Sequence, residues 1–229
     1  MSDKPILFII SGACSLGSQI ALEWLQIPYQ VCITTPEIRQ TVEFRSVNPA
    51  GKVGALKDGN NVVGENLAIL LYIADNYDIS ERVPLTENGG REQIYQWLSY
   101  LSSTLHPAFQ HFNYPTRFVD EADAEEFRSL ALNRLHIQLS YINNSINQYG
   151  YFIGEKASIV DAQAFALLRW CYKANRGDNL VDISAYPRLQ QFFANMQALE
   201  AVKNALAIES EQVEMLQNSQ FAGYFTIKV

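Results

Sequence analysis

Residues 6–16 give the first indication of the fold, and they read Ile6-Leu7-Phe8-Ile9-Ile10-Ser11-Gly12-Ala13-Cys14-Ser15-Leu16. Ile6–Ile10 is a continuous apolar run of strand length, which is typical of a strand buried on both faces. From Ser15 onward, apolar residues recur near helical spacing until Pro28 ends the pattern. Tyr29–Thr34 is strand-like again, so this part of the chain predicts a βαβ unit with parallel strands.

A hairpin and a further helix follow this unit. Asp58-Gly59-Asn60-Asn61 separates the short apolar runs Val53–Lys57 and Val62–Val63, which is the pattern of a β-hairpin. Glu65–Tyr77 then carries its apolar residues on one helical face. The order βαβ, short helix, ββα predicts a compact mixed α/β domain over residues 1–78.

The rest of the chain has a different pattern. Residues 79–90 are polar and include Pro84 and Gly89-Gly90, so we predict a linker there. We predict an all-helical domain over residues 91–229 and expect Phe221–Val229 to pack as a tail. The segments with helical periodicity are Glu92–Phe112, Ala122–Tyr149, Ile159–Lys173, Pro187–Met196 and Glu200–Ile208.

Composition narrows the classes of function. The chain has 229 residues and a net charge of -7, which argues against a general affinity for nucleic acid or anionic membranes. The first residues are polar and Ile6–Ile10 is too short for a signal peptide or a membrane span. The three cysteines show neither CxxC spacing nor histidines at metal-ligand spacing, so we expect no metal. Their odd number without a targeting segment suits a reducing cytoplasm.

Cys14 is the first candidate for chemistry. It lies between the first strand and the first helix, at the carboxyl edge of a sheet, where open α/β sheets bind ligands. Unpaired N–H groups in the first turn of a helix favour a thiolate there. The alternative is a small apolar residue that fills a loop. Cys32 and Cys171 lie inside regular elements among apolar neighbours, and we interpret them as core residues.

Five parts of the chain resemble motifs of the glutathione transferases, most closely the bacterial beta class, in the order and spacing of that family. The resemblance implies a thioredoxin-like domain that binds glutathione, a helical domain with an acceptor-substrate pocket, and a cytoplasmic homodimer. The matching parts are Phe8–Leu16, Asn48–Leu56, Glu65–Ala74, Leu105–Phe109, and Phe152–Gly154 followed by Ser158–Ala162.

The resemblance also assigns catalytic roles. It places Cys14 at the sulfur of glutathione, where Cys14 donates a hydrogen bond to the thiolate or forms a mixed disulfide with it. Ser15 is a reserve candidate for the same polar contact. His106 is implied to face that sulfur across the cleft between the domains; the alternative is that a histidine before Pro107 only marks a kink in a helix.

Four further residues are implied to hold glutathione. Val53 would pair its main chain with the cysteinyl part, as an added strand does. Lys52 is a candidate partner for the glycyl carboxylate. Glu65 and Asn66 would hold the γ-glutamyl end at a helix N-terminus, which suits a carboxylate.

Two positions depart from the family pattern. Gly54 stands where the family has a proline in a cis peptide bond. A non-proline cis bond costs roughly 2.5–4 kcal/mol, against about 0.5–1 kcal/mol for proline, and the sequence leaves both isomers open at Gly54. Asn66 replaces the usual serine and still offers an oxygen and an NH₂ group.

Three functions are therefore compatible with the sequence. The first is a glutathione transferase that activates the thiol of glutathione for attack on a small apolar electrophile. The second is a glutathione-dependent thiol–disulfide oxidoreductase or peroxidase with Cys14 as nucleophile. The third is a binding protein that keeps the fold without turnover, since fold does not decide function.

Overall fold

A computed structural model describes residues 4–25, 27–77, 79–83, 90–172 and 181–228. These residues form two compact units. The first holds the described residues up to Val83 and from Gln197 onward, and the second holds those from 90 to 196. Within the described parts of the chain, no helix is both long enough and apolar enough to cross a bilayer.

The first unit is a thioredoxin-like sheet with helices, as predicted. Its strands, numbered along the chain, are β1 (Ile6–Ile9), β2 (Tyr29–Ile33), β3 (Ala55–Asp58), β4 (Asn61–Gly64) and β5 (Phe221–Tyr224). The strand order is β4-β3-β1-β2-β5, in which β1–β2 and β2–β5 pair parallel while β1–β3 and β3–β4 pair antiparallel. The helices of this unit are α1 (Leu16–Glu23), α2 (Val42–Val47), α3 (Asn66–Asn76) and α9 (Glu200–Glu209).

The second unit is helical, as predicted. Two of its helices, α4 (Arg91–Tyr100) and α5 (His106–Asn113), run on from each other through a π-helical turn at Leu101–Leu105. Pro107 follows as the second residue of α5, and because proline has no N–H group it donates no hydrogen bond to the preceding turn. The helices that lie in this unit or end at its border are α4 (Arg91–Tyr100), α5 (His106–Asn113), α6 (Ala124–Ser145), α7 (Ile159–Leu168) and α8 (Pro187–Ala198).

The prediction of an all-helical domain over residues 91–229 is wrong at its C-terminal end. Residues from Gln197 onward belong to the first unit, and β5 extends its sheet. Tyr29 N–H donates to the Gln220 carbonyl at 3.2 Å and Phe225 N–H donates to the Val31 carbonyl at 2.8 Å. The physical reason is the free edge of β2, whose main-chain groups require partners.

The same C-terminal segment contributes to the core of the first unit. Ile227 is 3% exposed, and the ring of Phe225 packs edge-on against that of Phe8 at 6.2 Å. The segment therefore covers one side of the sheet as well as its edge. The residues of this buried cluster are Ile6, Phe8, Cys32, Ile38, Phe44, Val47, Ala55 and Ile227.

The predicted linker at 79–90 is described only in part. A short 3₁₀ turn at Ser80–Arg82 occupies its beginning, and the guanidinium of Arg82 lies 5.0 Å from the centre of the Trp24 ring. Residues 84–89 lie outside the described residues.

Helix α7 begins with a capping box formed by Ser158 and Asp161. The Asp161 carboxylate accepts hydrogen bonds from the N–H groups of Phe152 (2.9 Å) and Ser158 (2.8 Å). Asp161 N–H in turn donates to Ser158 Oγ. Burial raises the pKa of the Asp161 carboxyl from 3.8 to about 6, while the hydrogen bonds from Ser158 and Phe152 oppose the rise.

We expect Ile227→Ala to lower the free energy of unfolding by about 2–4 kcal/mol, because it deletes buried methyl groups and leaves a cavity. Urea unfolding followed by circular dichroism measures the change. Met215→Ala is the control, since Met215 lies in the same C-terminal segment but is 60% exposed. Its expected change is within about 0.5 kcal/mol. Equal losses in the two variants would contradict a core role for Ile227.

The capping box leads to a pH-dependent prediction. The pKa of Asp161 is higher in the folded chain than in the unfolded chain, so its favourable contribution is present at low pH and is lost as the pH rises through about 6. We therefore expect wild type to lose about 1 kcal/mol relative to Asp161→Asn between pH 5 and pH 7.5. Urea unfolding of both proteins at the two pH values gives the difference, in which all other titrating groups cancel. A constant difference would exclude the raised pKa.

Candidate functional site

Cys14 lies in the turn that joins β1 to α1. Gly12 adopts φ 80°, a conformation that glycine reaches without steric cost, and the N–H of Ala13 donates to the Ile10 carbonyl at 3.0 Å. Helix α1 begins at Leu16, so Cys14 lies just before the helix and not in its first turn. The residue is 8% exposed. The cysteine is thus presented at the carboxyl end of β1, the edge where the sequence placed it.

Glu209, at the end of α9, supports this turn from the C-terminal part of the unit. Its Oε1 accepts a hydrogen bond from Gly12 N–H at 2.8 Å, and its carbonyl accepts one from Ser11 Oγ at 2.8 Å. Glu209 is 4% exposed. The two hydrogen bonds hold the turn firmly, because little water competes for their donors in such a dry place.

Asn66, the first residue of α3, contacts the sulfur of Cys14. Its Nδ2 donates to Cys14 Sγ at 2.9 Å, and its Oδ1 accepts a hydrogen bond from Ser18 Oγ at 3.1 Å. Asn66 is itself 8% exposed and Ser18 is fully buried. Both ends of the carboxamide are therefore engaged, which orients the amide N–H group toward the thiol.

Gly54 lies against the same carboxamide. A Cβ atom placed on Gly54 would come within 2.5 Å of Asn66 Oδ1, far inside van der Waals contact. The Val53–Gly54 peptide bond is cis, which answers the question that the sequence leaves open. The absence of a side chain at position 54 is thus what makes room for the amide of Asn66.

The other residues predicted to bind glutathione also lie in the first unit. Val53 is half-buried two residues before β3, and its side chain packs against the core cluster of the sheet. Lys52 is exposed, and its carbonyl accepts a hydrogen bond from Asn48 Nδ2 at 2.7 Å. Glu65 is exposed at the N-cap of α3 with φ 68°, an uncommon conformation outside glycine that concentrates at ligand sites.

The other predicted catalytic residues have different surroundings. Ser15 is fully buried, and its Oγ has no hydrogen-bond partner among the described residues. The geometry favours Cys14 over Ser15 as the group that faces a ligand. His106 belongs to the second unit, where its Nε2 lies 3.1 Å from Gln110 Nε2 and its ring lies 5.3 Å from that of Trp170.

The two remaining cysteines are core residues, as predicted. Cys32 is 1% exposed and Cys171 is fully buried. Burial raises the pKa of the Cys32 thiol to about 11 and the pKa of the Cys171 thiol to about 12. Both thiols therefore stay protonated near neutral pH.

Two contributors to the site were not predicted. Nothing in the sequence marks Glu209, because it contacts a residue 197 positions away. Ser18 has no signal of its own either, since it looks like one more small residue in a helix. The sequence did mark Gly54 and Asn66, because both positions depart from the resembled family pattern, although it did not show that the two residues are in contact. The described residues contain no cluster of histidine, cysteine and acidic side chains that would hold a metal ion.

Comparisons with known proteins agree with the fold. The family model of the glutathione S-transferase N-terminal domain matches residues 18–84, and that of the glutathione S-transferase C-terminal domain matches residues 103–209. The chain is 30% identical to glutathione S-transferase GST-4.5 of Xanthomonas campestris over 210 residues, which cover 89% of this chain and 98% of that protein.

Two solved structures are similar over nearly their whole length. The bacterial beta class glutathione S-transferase of Sphingomonas chungbukensis is 30% identical with a TM-score of 0.74, covering 89% of this chain and 98% of that one. A sphingomonad glutathione S-transferase complexed with glutathione is 30% identical with a TM-score of 0.75, covering 90% and 98%.

Proposed function

This chain belongs to the glutathione S-transferase family, and from that premise we propose that it binds glutathione in its first unit and activates the thiol for attack on a small apolar electrophile. The observation that carries the proposal is the hydrogen bond from Asn66 Nδ2 to Cys14 Sγ at the carboxyl end of β1. It places a polar, oriented sulfur at the edge of the sheet where open α/β folds bind ligands. A related sphingomonad structure is complexed with glutathione.

The proposed binding mode uses the first unit. The main chain of Val53 pairs with the cysteinyl part of glutathione, and the cis bond to Gly54 lies at that point. The N-terminus of α3 offers N–H groups that lack helical partners, which suits the γ-glutamyl carboxylate. Glu65, exposed at the N-cap, pairs with the γ-glutamyl ammonium, and the exposed Lys52 pairs with the glycyl carboxylate.

In the proposed transfer reaction Cys14 contacts the sulfur of glutathione without changing covalently. Glutathione releases its thiol proton to solvent, and its thiolate sulfur forms a bond to the electrophilic carbon. With an aryl halide, the carbon–halogen bond breaks and the halide ion leaves with the bonding electron pair. A hydrogen bond from Cys14 stabilises the thiolate before that step, in a site that excludes most water. His106 stays a predicted second catalytic residue on the family resemblance. The acceptor-substrate pocket and the homodimer likewise stay predictions.

A second candidate function makes Cys14 the nucleophile. The donor on its sulfur favours this candidate, because hydrogen bonds to a thiolate stabilise the charged form. The Cys14 thiolate would attack one sulfur of oxidised glutathione. A Cys14–glutathione disulfide would form, and the second glutathione would leave as a thiolate with the bonding electron pair. A third candidate is glutathione binding without turnover.

Replacing Cys14 by alanine and by serine separates the two reactions. If Cys14 acts as a hydrogen-bond donor, Cys14→Ala loses roughly tenfold or more in kcat for conjugation of an aryl halide, and Cys14→Ser keeps most of it. If Cys14 is the nucleophile, both variants lose disulfide exchange completely. Steady-state assays of both reactions measure this, and the mass of the protein after oxidised glutathione shows the mixed disulfide.

Calorimetric titration measures the binding of glutathione to wild type, Cys14→Ala and Cys14→Ser. We expect binding by wild type and by both variants, because most of the proposed contacts come from Val53, Glu65 and Lys52. Cys32→Ala is the control for loss of a thiol without loss of the site, with thermal unfolding measured alongside. Binding without either reaction would leave only the third candidate. No binding by wild type would overturn the proposed function.

A further inference from the structure

Two residues that look like separate departures from the family pattern lie against each other. A Cβ atom on Gly54 would be 2.5 Å from Asn66 Oδ1, 3.4 Å from Asn66 Cγ and 3.4 Å from Ile69 Cδ1. The space that the carboxamide of Asn66 uses is therefore the space that any side chain at position 54 would take. Asn66 in this orientation is therefore compatible with glycine at position 54 and poorly compatible with any residue that carries a side chain there.

We propose that Gly54 and Asn66 act together to position Cys14 Sγ and to stabilise its thiolate. Asn66 donates the hydrogen bond to the sulfur, and Gly54 leaves the space that the carboxamide of Asn66 occupies. The inference rests on the second candidate function, in which the Cys14 thiolate attacks oxidised glutathione, because a charged Cys14 has no proton to donate to the thiolate of reduced glutathione. It goes beyond it by giving Asn66 a role toward the protein's own thiol, in addition to the glutathione contact that the family resemblance implies.

The donor is held in place at both ends. Ser18 Oγ donates to Asn66 Oδ1 at 3.1 Å, which leaves Nδ2 directed at Cys14 Sγ at 2.9 Å. Exchanging the two ends of the amide would turn an N–H group toward the Ser18 hydroxyl and the oxygen toward the sulfur. Such an exchange would set a partly negative oxygen against a thiolate. The Ser18 hydroxyl can pair with either end of the amide, so it is the negative charge on the sulfur that favours the observed orientation, with Nδ2 toward Sγ.

The surroundings strengthen this hydrogen bond. Cys14 and Asn66 are each 8% exposed and Ser18 is fully buried, so water competes weakly for the donor. A hydrogen bond to the charged form of a group favours that form over the neutral one. Burial alone has the opposite effect on a thiol. The amide is thus the feature that would separate Cys14 from the two buried cysteines of the core.

Room for the donor depends on Gly54. Because Asn66 is buried and held by Ser18, its carboxamide has little freedom to move aside. A methyl group at position 54 would displace Oδ1 and carry Nδ2 away from the sulfur. A serine at position 66 lacks the extra atoms that Gly54 accommodates, so alanine at position 54 would then meet no carboxamide.

The test measures alkylation of Cys14 by iodoacetamide as a function of pH, in the full chain and without glutathione. Mass spectrometry of the peptide that contains Cys14 gives the rate, and Cys14→Ala gives the background from the other two cysteines. We expect Asn66→Ser to lower the rate at neutral pH roughly tenfold and to move the midpoint of the profile to higher pH by about one unit, as loss of a hydrogen bond to a charged group predicts.

Gly54→Ala should move the midpoint by a similar amount, because its methyl group would displace the carboxamide of Asn66 and not because it would contact the sulfur. The double variant Gly54→Ala/Asn66→Ser should match Asn66→Ser alone, so the two changes do not add. Gly64→Ala is the matched control. It lies in the same hairpin, and a Cβ atom there would meet its nearest neighbour, Asn48 Nδ2, at an ordinary 3.6 Å. We expect the wild-type profile from it.

Asn66→Asp tests the chemistry at nearly constant shape. It keeps an acceptor for Ser18 and replaces the donor on the sulfur by an oxygen, so we expect the midpoint to move further upward than in Asn66→Ser. Thermal unfolding of every variant identifies any that fail to fold. Wild-type profiles in Asn66→Ser and Asn66→Asp, or additive shifts in the double variant, would overturn the inference. Because glutathione is absent, failure of glutathione binding would overturn the proposed function without altering this result.

Discussion

A buried thiol that is to carry charge needs a donor, and in this chain the donor comes from a residue 52 positions further along. The amide of Asn66 reaches Cys14 only because α3 begins directly beside the turn between β1 and α1. That arrangement follows from the sheet, in which β3 lies next to β1 and β4 leads from β3 into α3. The order of the strands is therefore what brings the two residues of the site together.

The position of Cys14 depends equally on the far end of the chain. Glu209 holds the turn through Gly12 and Ser11, and it belongs to α9, which lies in the same unit. Gln19 Nε2 adds a bond from α1 to the Ala205 carbonyl in α9 at 3.0 Å. The segment after α9 then pairs with β2 and buries Ile227 in the core. Residues from both ends of the sequence thus share one folding unit, which couples the stability of the sheet to the geometry of the sulfur.

Elements with a local sequence pattern were predicted correctly, whereas features that depend on contacts between remote residues were missed. β1, β2, the hairpin of β3 and β4, and α3 were predictable within one or two residues, because apolar runs, Asp58-Gly59 and the periodicity after Glu65 are local signals. β5 was missed because a half-buried strand of four residues has no alternation to detect, and its partner Tyr29 is remote in the chain. Cys14 was predictable from its place between a strand and a helix. Glu209 and Ser18 were not, since their roles consist of contacts that no spacing encodes.

The case of Gly54 and Asn66 shows how reading single positions misleads. Considered separately, Gly54 in place of the family's proline and Asn66 in place of its serine each suggest loss of the glutathione site. In the structure they occupy one volume, since the oxygen of the larger residue fills the place from which a side chain has been removed. A residue gained at one position is sterically admissible only with the residue lost at the other. One steric constraint therefore accounts for both departures from the resembled pattern, and it leaves the amide of Asn66 donating a hydrogen bond to the sulfur of Cys14.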